Sequence, residues 1–173
     1  MATYHVRVAR PEDREGVEAL LKRSYPPLLA AGYDAELLAA ALPAMIRANP
    51  QLLACGTWFV ALDEHGMVAG CGGWTAQRPG LGEIEPGVGH LRHFGTHVDH
   101  LRRGVGRQLM ERSFTTARAA GIERLDCDAT LVAERFYQSL GLRTVEATRV
   151  TIPVLDRPGE VVAFPSLLMR IEL

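Results

Sequence analysis

Residues 89–113, GHLRHFGTHVDHLRRGVGRQLMERS, decide how this chain is read. They hold four histidines, His90, His93, His97 and His100, and then run into arginines and spaced glycines. Two chemistries compete for such a stretch: a metal site built from imidazoles, or a cradle for a phosphate. On a helix the four rings would lie along one face and suit a metal ion. Gly89, Gly95, Thr96 and Val98 favour an extended segment instead, in which His90 and His93 point to opposite faces while His93 and His97 share one. Asp99 is the only acid among them and no HExxH pattern is present, so no metal is expected.

The phosphate reading rests on the helix that the glycines introduce. From residue 104 to 121 the pattern is helical, with Val105, Leu109, Met110, Phe114 and Ala117 on one stripe. Arg107, Gln108, Glu111, Arg112, Thr115 and Arg118 lie opposite, and Gly121 is the expected C-terminal cap. A helix opens with unpaired N–H groups and the positive end of its dipole, and the glycines of RRGVGR let a phosphate approach that backbone. Arg102, Arg103 and Arg107 add positive charge. A Walker A loop would need Gly-Lys-Ser/Thr, and a dinucleotide fingerprint would need a third glycine where Leu109 stands; neither motif applies.

Away from this segment the chain alternates strands and helices. TYHVRV (residues 3–8) has strand composition, and Pro11 opens a charged helix with Val17, Leu20 and Leu21 on one face. Leu37, Leu38, Ala41, Leu42, Met45 and Ile46 predict a second helix, with a break or restart at Pro43. TWFVALDEHGMVAGCGGWT predicts a hairpin turning through Asp63, Glu64, His65 and Gly66. Residues 77–89, rich in glycine and proline, read as a loop suited to substrate contact. IERLDCDA is a strand, and LVAERFYQSLGL a short helix with Val132, Phe136 and Leu140 in register, closed by Gly141. RTVEATRVTIPV and VVAFPSLLMRIEL then form two strands joined by LDRPGE. The expected architecture is α/β, with an antiparallel tail to its sheet.

Composition bounds the function. A chain of 173 residues with 47% hydrophobic content suits one domain, residues 1–173, with one real core. Its net charge of -1 lends no bulk electrostatic support to a nucleic-acid or anionic-membrane partner. Cys55, Cys71 and Cys127 are odd in number and lack CxxC spacing, which fits a reducing, cytoplasmic compartment. The N-terminus has no apolar signal-peptide core, and no apolar run approaches the roughly eighteen residues of a membrane span.

In its order of elements and in three motifs, the chain resembles the GNAT superfamily of acetyl-CoA-dependent N-acetyltransferases. LRRGVGRQLM resembles the family's Gln/Arg-x-x-Gly-x-Gly/Ala loop, matched at Gly104 and Gly106, with Leu101 in place of the usual Gln or Arg. VAERFYQSLGL resembles the Ala-x-x-Phe-Tyr-x-x-x-Gly-Phe helix, matched at Ala133, Phe136, Tyr137 and Gly141. Leu142 replaces the usual aromatic there, and Thr130 stands where Asn is common. The hairpin ending Gly-Cys-Gly-Gly-Trp is similar to a bacterial branch of the family.

That resemblance implies a GNAT-type single domain: a central mixed, mostly antiparallel sheet flanked by helices, with splayed strands forming an acetyl-CoA cleft. It implies acetyl-CoA as co-substrate, without a metal, and a small amine or peptide amine as acceptor; a homodimer is left open. The pyrophosphate would lie on the amides from Arg103 through Gly104, Val105 and Gly106 to Arg107, with Arg102 beside them. Phe94, Gly95 and Thr96 would pair with the pantetheine arm and polarise the thioester carbonyl, Gly95 easing a bulge. Tyr137 is the implied proton donor to the leaving thiolate, since a phenol with an ordinary pKa of about 10 stays protonated at neutral pH. His90 is the implied base, with Glu83, Glu85, His93, Asp126 and Asp128 as rivals and Trp74 as a candidate pocket wall. The alternative to an enzyme is a non-catalytic acyl-CoA-binding regulatory module on the same fold.

Overall fold

The local rules written into the sequence build each element. In the computed structural model, which describes residues 2–173, β1 is His5–Val8, followed by a 3-10 turn at Pro11–Asp13 and helix α1, Arg14–Leu29. Helix α2, Ala35–Met45, starts where the Asp34 carboxylate accepts from the Leu37 amide at 2.8 Å. Pro43 does not break it as expected: it falls in the last turn of α2, which ends two residues later. Asn49 caps a further short helix, α3, Pro50–Ala54, that the apolar pattern had not marked out.

The hairpin forms as read. Strands β2, Trp58–Leu62, and β3, Val68–Thr75, are joined by a turn in which Asp63 Oδ1 accepts from the amides of His65 and Met67, each at 2.9 Å, and Gly66 takes φ +77°. Strand β4 is Val88–Thr96, so Val88 and Gly89 belong to it and not to the preceding loop. Helix α4, Val105–Ala119, and strand β5, Arg124–Thr130, come next. Helix α5, Glu134–Ser139, comes after a 3-10 turn at Leu131–Ala133, and β6, Arg143–Pro153, and β7, Val161–Glu172, end the chain.

One seven-stranded mixed sheet results, in the order β1-β2-β3-β4-β5-β7-β6, every neighbouring pair antiparallel except β4–β5. Alternation along β2 shows how the faces divide. Trp58 and Val60 pack with Val17, Leu20 and Leu21 of α1 and Leu52 and Leu53 of α3, whereas Phe59 and Ala61 pack with Val105 and Leu109 of α4. Fully burying each large side chain of this kind stabilises the fold by roughly 1.5–3 kcal/mol. No helix among the described residues is long and apolar enough to cross a membrane.

A β-bulge shapes the middle of the sheet. Cys71 pairs with Gly95 and Gly73 with Arg92, so Gly72 alone faces both His93 and Phe94. The strain falls on His93, at φ +49°, and not on Gly95, where the bulge was expected. Gly95 instead packs on α1, where an added Cβ would come 2.9 Å from Leu21 Cδ2. Gly72 has φ +154°, and a Cβ on it would overlap the Phe94 ring. Replacing Gly72 with Ala therefore combines backbone strain with overpacking, with an expected loss of about 2–4 kcal/mol. Urea denaturation of wild type and variant measures it; an unchanged midpoint would show that the bulge relaxes freely.

Candidate active site

The site begins where two strands part. β4 and β5 pair over only Val88↔Arg124, Gly89↔Leu125 and His90↔Asp126. Beyond that point β5 continues to Thr130 with β7 on its far side, while β4 runs on to Thr96 against β3 alone. A wedge opens between them, lined by main chain that has lost its sheet neighbour.

Side chains from three directions hold the bulged lip of β4. The Tyr25 hydroxyl of α1 donates to Phe94 O at 2.9 Å, and the Trp58 indole donates to Arg92 O at 2.8 Å. His93 Nε2 lies 2.9 Å from Met45 O, at the end of α2, and burial pushes this imidazole below its ordinary pKa. Phe94 and Thr96 stand on the part of β4 that has left β5.

At the far end of the wedge the expected glycine loop precedes α4. Arg102 has φ +58° and Gly104 +86°, the latter serving as helix N-cap. The first bond into the helix is Gln108 N to Gly104 O at 3.0 Å. The amides of Arg102, Arg103, Gly104, Val105, Gly106 and Arg107 have no hydrogen-bond acceptor among the described residues. The side chains of Arg102, Arg103 and Arg107 are exposed around them. These donors form a fitting cradle for a pyrophosphate.

Tyr137 links this loop to the wedge. A Cβ on Gly106 would come 2.8 Å from Phe136 Cζ, so the bare glycine lets the Phe136 ring lie on the first turn of α4. The ring of Tyr137 meets Phe136 at 5.1 Å and stands edge-on to Phe94 of β4 at 6.3 Å. Only 6% of Tyr137 is exposed. Burial, with the neighbouring Cys127 thiol, holds its hydroxyl well above the ordinary tyrosine pKa, and burial pushes the thiol itself up to about 12.

The opposite face of the wedge is polar. His90 stands cross-strand from Thr75 and in register with Asp126. Burial lowers its pKa, against the pull of Asp126. Asp126 is buried, but Arg170 grips it at 2.7 and 3.0 Å and Arg124 Nε lies 3.3 Å away, and together they keep the carboxyl below its usual range. Burial raises the carboxyl pKa of Asp128, next on the same face, against the pull of Arg78 and His90. Glu83 and Glu85 are exposed in the loop before β4. Trp74 does not wall this side: it is buried under α4, its indole donating to Thr116 Oγ1 at 2.9 Å.

The remaining histidines disperse. His97 Nδ1 accepts from the Asp99 amide in a 3-10 turn, Val98–His100, and His100 Nδ1 lies 3.0 Å from the Tyr4 hydroxyl. The bulge at His93 also breaks the strict alternation expected between His93 and His97. No group of three or more His, Cys, Asp or Glu arranged to hold a metal occurs among the described residues. The clamps by Tyr25 and Trp58 and the Arg170–Asp126 pair left no local trace in the sequence, because each joins elements distant along the chain.

The Acetyltransferase (GNAT) family model matches residues 15–142, and the chain belongs to this family of acyltransferases. Among solved structures it is similar to a GCN5-related N-acetyltransferase of Rhodopseudomonas palustris, 23% identical at TM-score 0.77, covering 100% of this chain and 98% of that one. It is also similar to the PaiA N-acetyltransferase of Thermoplasma acidophilum in complex with coenzyme A, 14% identical at TM-score 0.69, with 99% of each chain covered. A third similar structure is the ribosomal-protein-S18-alanine N-acetyltransferase of Escherichia coli, 15% identical at TM-score 0.62, covering 98% of this chain and 94% of that one. These similarities establish a shared fold. No curated protein matches the sequence.

The His93 clamp carries a pH signature. Because its folded pKa lies below the ordinary value of about 6.5, the unfolded chain takes the proton first as pH falls. Its stabilising contribution is complete above about pH 6.5 and is lost as pH drops through the folded value. Urea midpoints measured between about pH 7.5 and 4.5 are expected to fall, and His93→Gln to flatten that slope; an equal slope in the variant would assign the effect elsewhere.

Proposed function

We propose that this chain moves the acetyl group of acetyl-CoA to a primary amine by direct attack. The observation that carries the proposal is the row of six acceptor-free amides, from Arg102 to Arg107, joined through Gly106 and Phe136 to a buried tyrosine at the mouth of the wedge. The pyrophosphate takes those amides, and the pantetheine arm lies along the main chain of Phe94, Gly95 and Thr96 on the edge that β5 has left, sharing the Phe94 carbonyl with Tyr25.

The amine nitrogen attacks the thioester carbon as the C–N bond forms and the C–S bond breaks. The sulfur leaves as a thiolate and takes the proton of the Tyr137 hydroxyl, while the nitrogen gives its proton to His90, directly or through water. Burial keeps Tyr137 protonated over the whole working range, and the same burial disfavours a free thiolate, so the two groups exchange the proton as charge develops on sulfur. His90, on the other face of β4, is neutral at pH 7 because burial lowers its pKa. Solvent returns the proton from His90 to Tyr137 between turnovers.

Two of the three departures from the family pattern spare this machinery. Leu101 is 39% exposed and leaves the amides free, and Leu142 is buried in the core beside Tyr137. The three free thiols, Cys55, Cys71 and Cys127, support a reducing, cytoplasmic setting.

Release of coenzyme A thiol from acetyl-CoA across a panel of amines tests the proposal; binding of acetyl-CoA without release identifies a non-catalytic module instead. Tyr137→Phe is expected to lower kcat about 100-fold or more while leaving the acetyl-CoA dissociation constant within about twofold. In the pH profile of kcat/KM, His90→Gln is expected to remove an acid limb with its midpoint below about 6.5. A variant that keeps this limb would assign the base to another group.

A further inference from the structure

Four arginines are partly buried: Arg7, Arg92, Arg124 and Arg170. Three of them hold a carboxylate. Arg7 takes Asp13 through both terminal nitrogens, at 2.8 and 2.7 Å, and Arg124 and Arg170 share Asp126. Arg92 holds none. No carboxylate lies within 4.0 Å of it among the described residues, and its side chain makes one hydrogen bond, Nη1 to Thr75 Oγ1 at 3.0 Å. A guanidinium has five N–H donors and is costly to desolvate without an anion, so most of this group's capacity stands unused.

The position of Arg92 gives that spare capacity a direction. The last paired residues of the diverging strands are His90 and Asp126. Two residues further on, each strand presents a charged side chain on the same face: Arg92 on β4 and Asp128 on β5. Asp128 has no cation within 4.0 Å among the described residues, although Arg78 and His90 act on it from farther away. Had β4 and β5 stayed paired, these two would be in register and would neutralise each other. The wedge keeps them apart, a cation without an anion on one lip and an anion without a cation on the other. His90 lies between them and the closed end of the wedge.

We propose that Arg92 and Asp128 bind the two ends of a zwitterionic acceptor, so that the acyl acceptor is an amino acid or a similarly small amine carrying a carboxylate. Arg92 forks onto the carboxylate, in the bidentate geometry that a guanidinium offers. Asp128 receives the ammonium group, which passes one proton through His90 to solvent, so that His90 is neutral again to take the second as the nitrogen attacks. The arrangement discriminates by charge at both ends: an amine without a carboxylate leaves Arg92 desolvated and unpaired. This inference rests on the proposed acetyl transfer for the identity of the reaction, but the two fail separately.

Matched pairs decide it: L-amino acids against their carboxamides, which keep the amino group and lose only the anion. With wild type, kcat/KM for the preferred amino acid is expected to exceed that for its carboxamide by about 10- to 100-fold. Arg92→Gln, which removes the charge and the fork, is expected to bring that ratio near one through KM for the amino acid, leaving KM for acetyl-CoA unchanged. Equilibrium binding of the same pairs to the wild-type chain, with and without coenzyme A, needs neither turnover nor a folded variant. Carboxylate-dependent binding without acetyl transfer would uphold the zwitterion site and overturn the proposed reaction. Carboxamides bound or acetylated as well as amino acids would overturn the site, whatever the reaction.

Discussion

The wedge between β4 and β5 is the constraint on which the rest of this molecule depends. A sheet interior normally spends every peptide group on a neighbouring strand, and a strand that lacks one carries unpaired donors and acceptors. Here the parallel pairing stops after three residue pairs, because β5 is held along its whole length by β7 while β4 is held by β3 and turned by a bulge. The geometry is fixed by Tyr25 and Trp58, which reach from other elements to main-chain oxygens of β4, and by His93 of β4 itself, which reaches Met45 O of α2. A floppy gap would collapse back into a sheet or fill with side chains. A clamped one keeps main-chain groups available for a substrate.

Two glycines connect that gap to the helix end that supplies the other donors. Gly104 takes the left-handed conformation that opens α4, and Gly106 leaves room for Phe136, which sets α5 and its Tyr137 against the loop. Glycine loop, open strand and buried phenol are therefore one packed unit. The same contacts that complete the core between α4 and α5 also set the distance from the helix end to the tyrosine. Burial acts on the chemistry as well as on stability, since it holds Tyr137 protonated and His90 neutral on opposite faces of one strand.

Much of this was legible along the chain. The hairpin, the amphipathic α4, the Gly104–Gly106 turn and the Phe136–Tyr137 pair are local patterns, each written in neighbours a few residues apart, where periodicity and turn chemistry act directly. Pro43 misled because a proline in a helix's last turn removes a bond that fraying would weaken anyway. Gly95 was the natural choice for the bulge, yet the strain went to His93: Gly95 is needed to admit Leu21, a residue of α1 far back in the sequence.

By itself, then, the sequence determined the class of fold, the family and the glycine turn that opens α4, because short-range rules and a few spaced motifs carry them. Tertiary structure alone decided where the sheet divides and which charged groups are left without partners there. Asp126 and Asp128 look alike in the sequence, two acids on one strand. Strand β7 brings Arg170 to the first and no cation to the second, and only the assembled sheet tells a neutralised carboxylate from an available one.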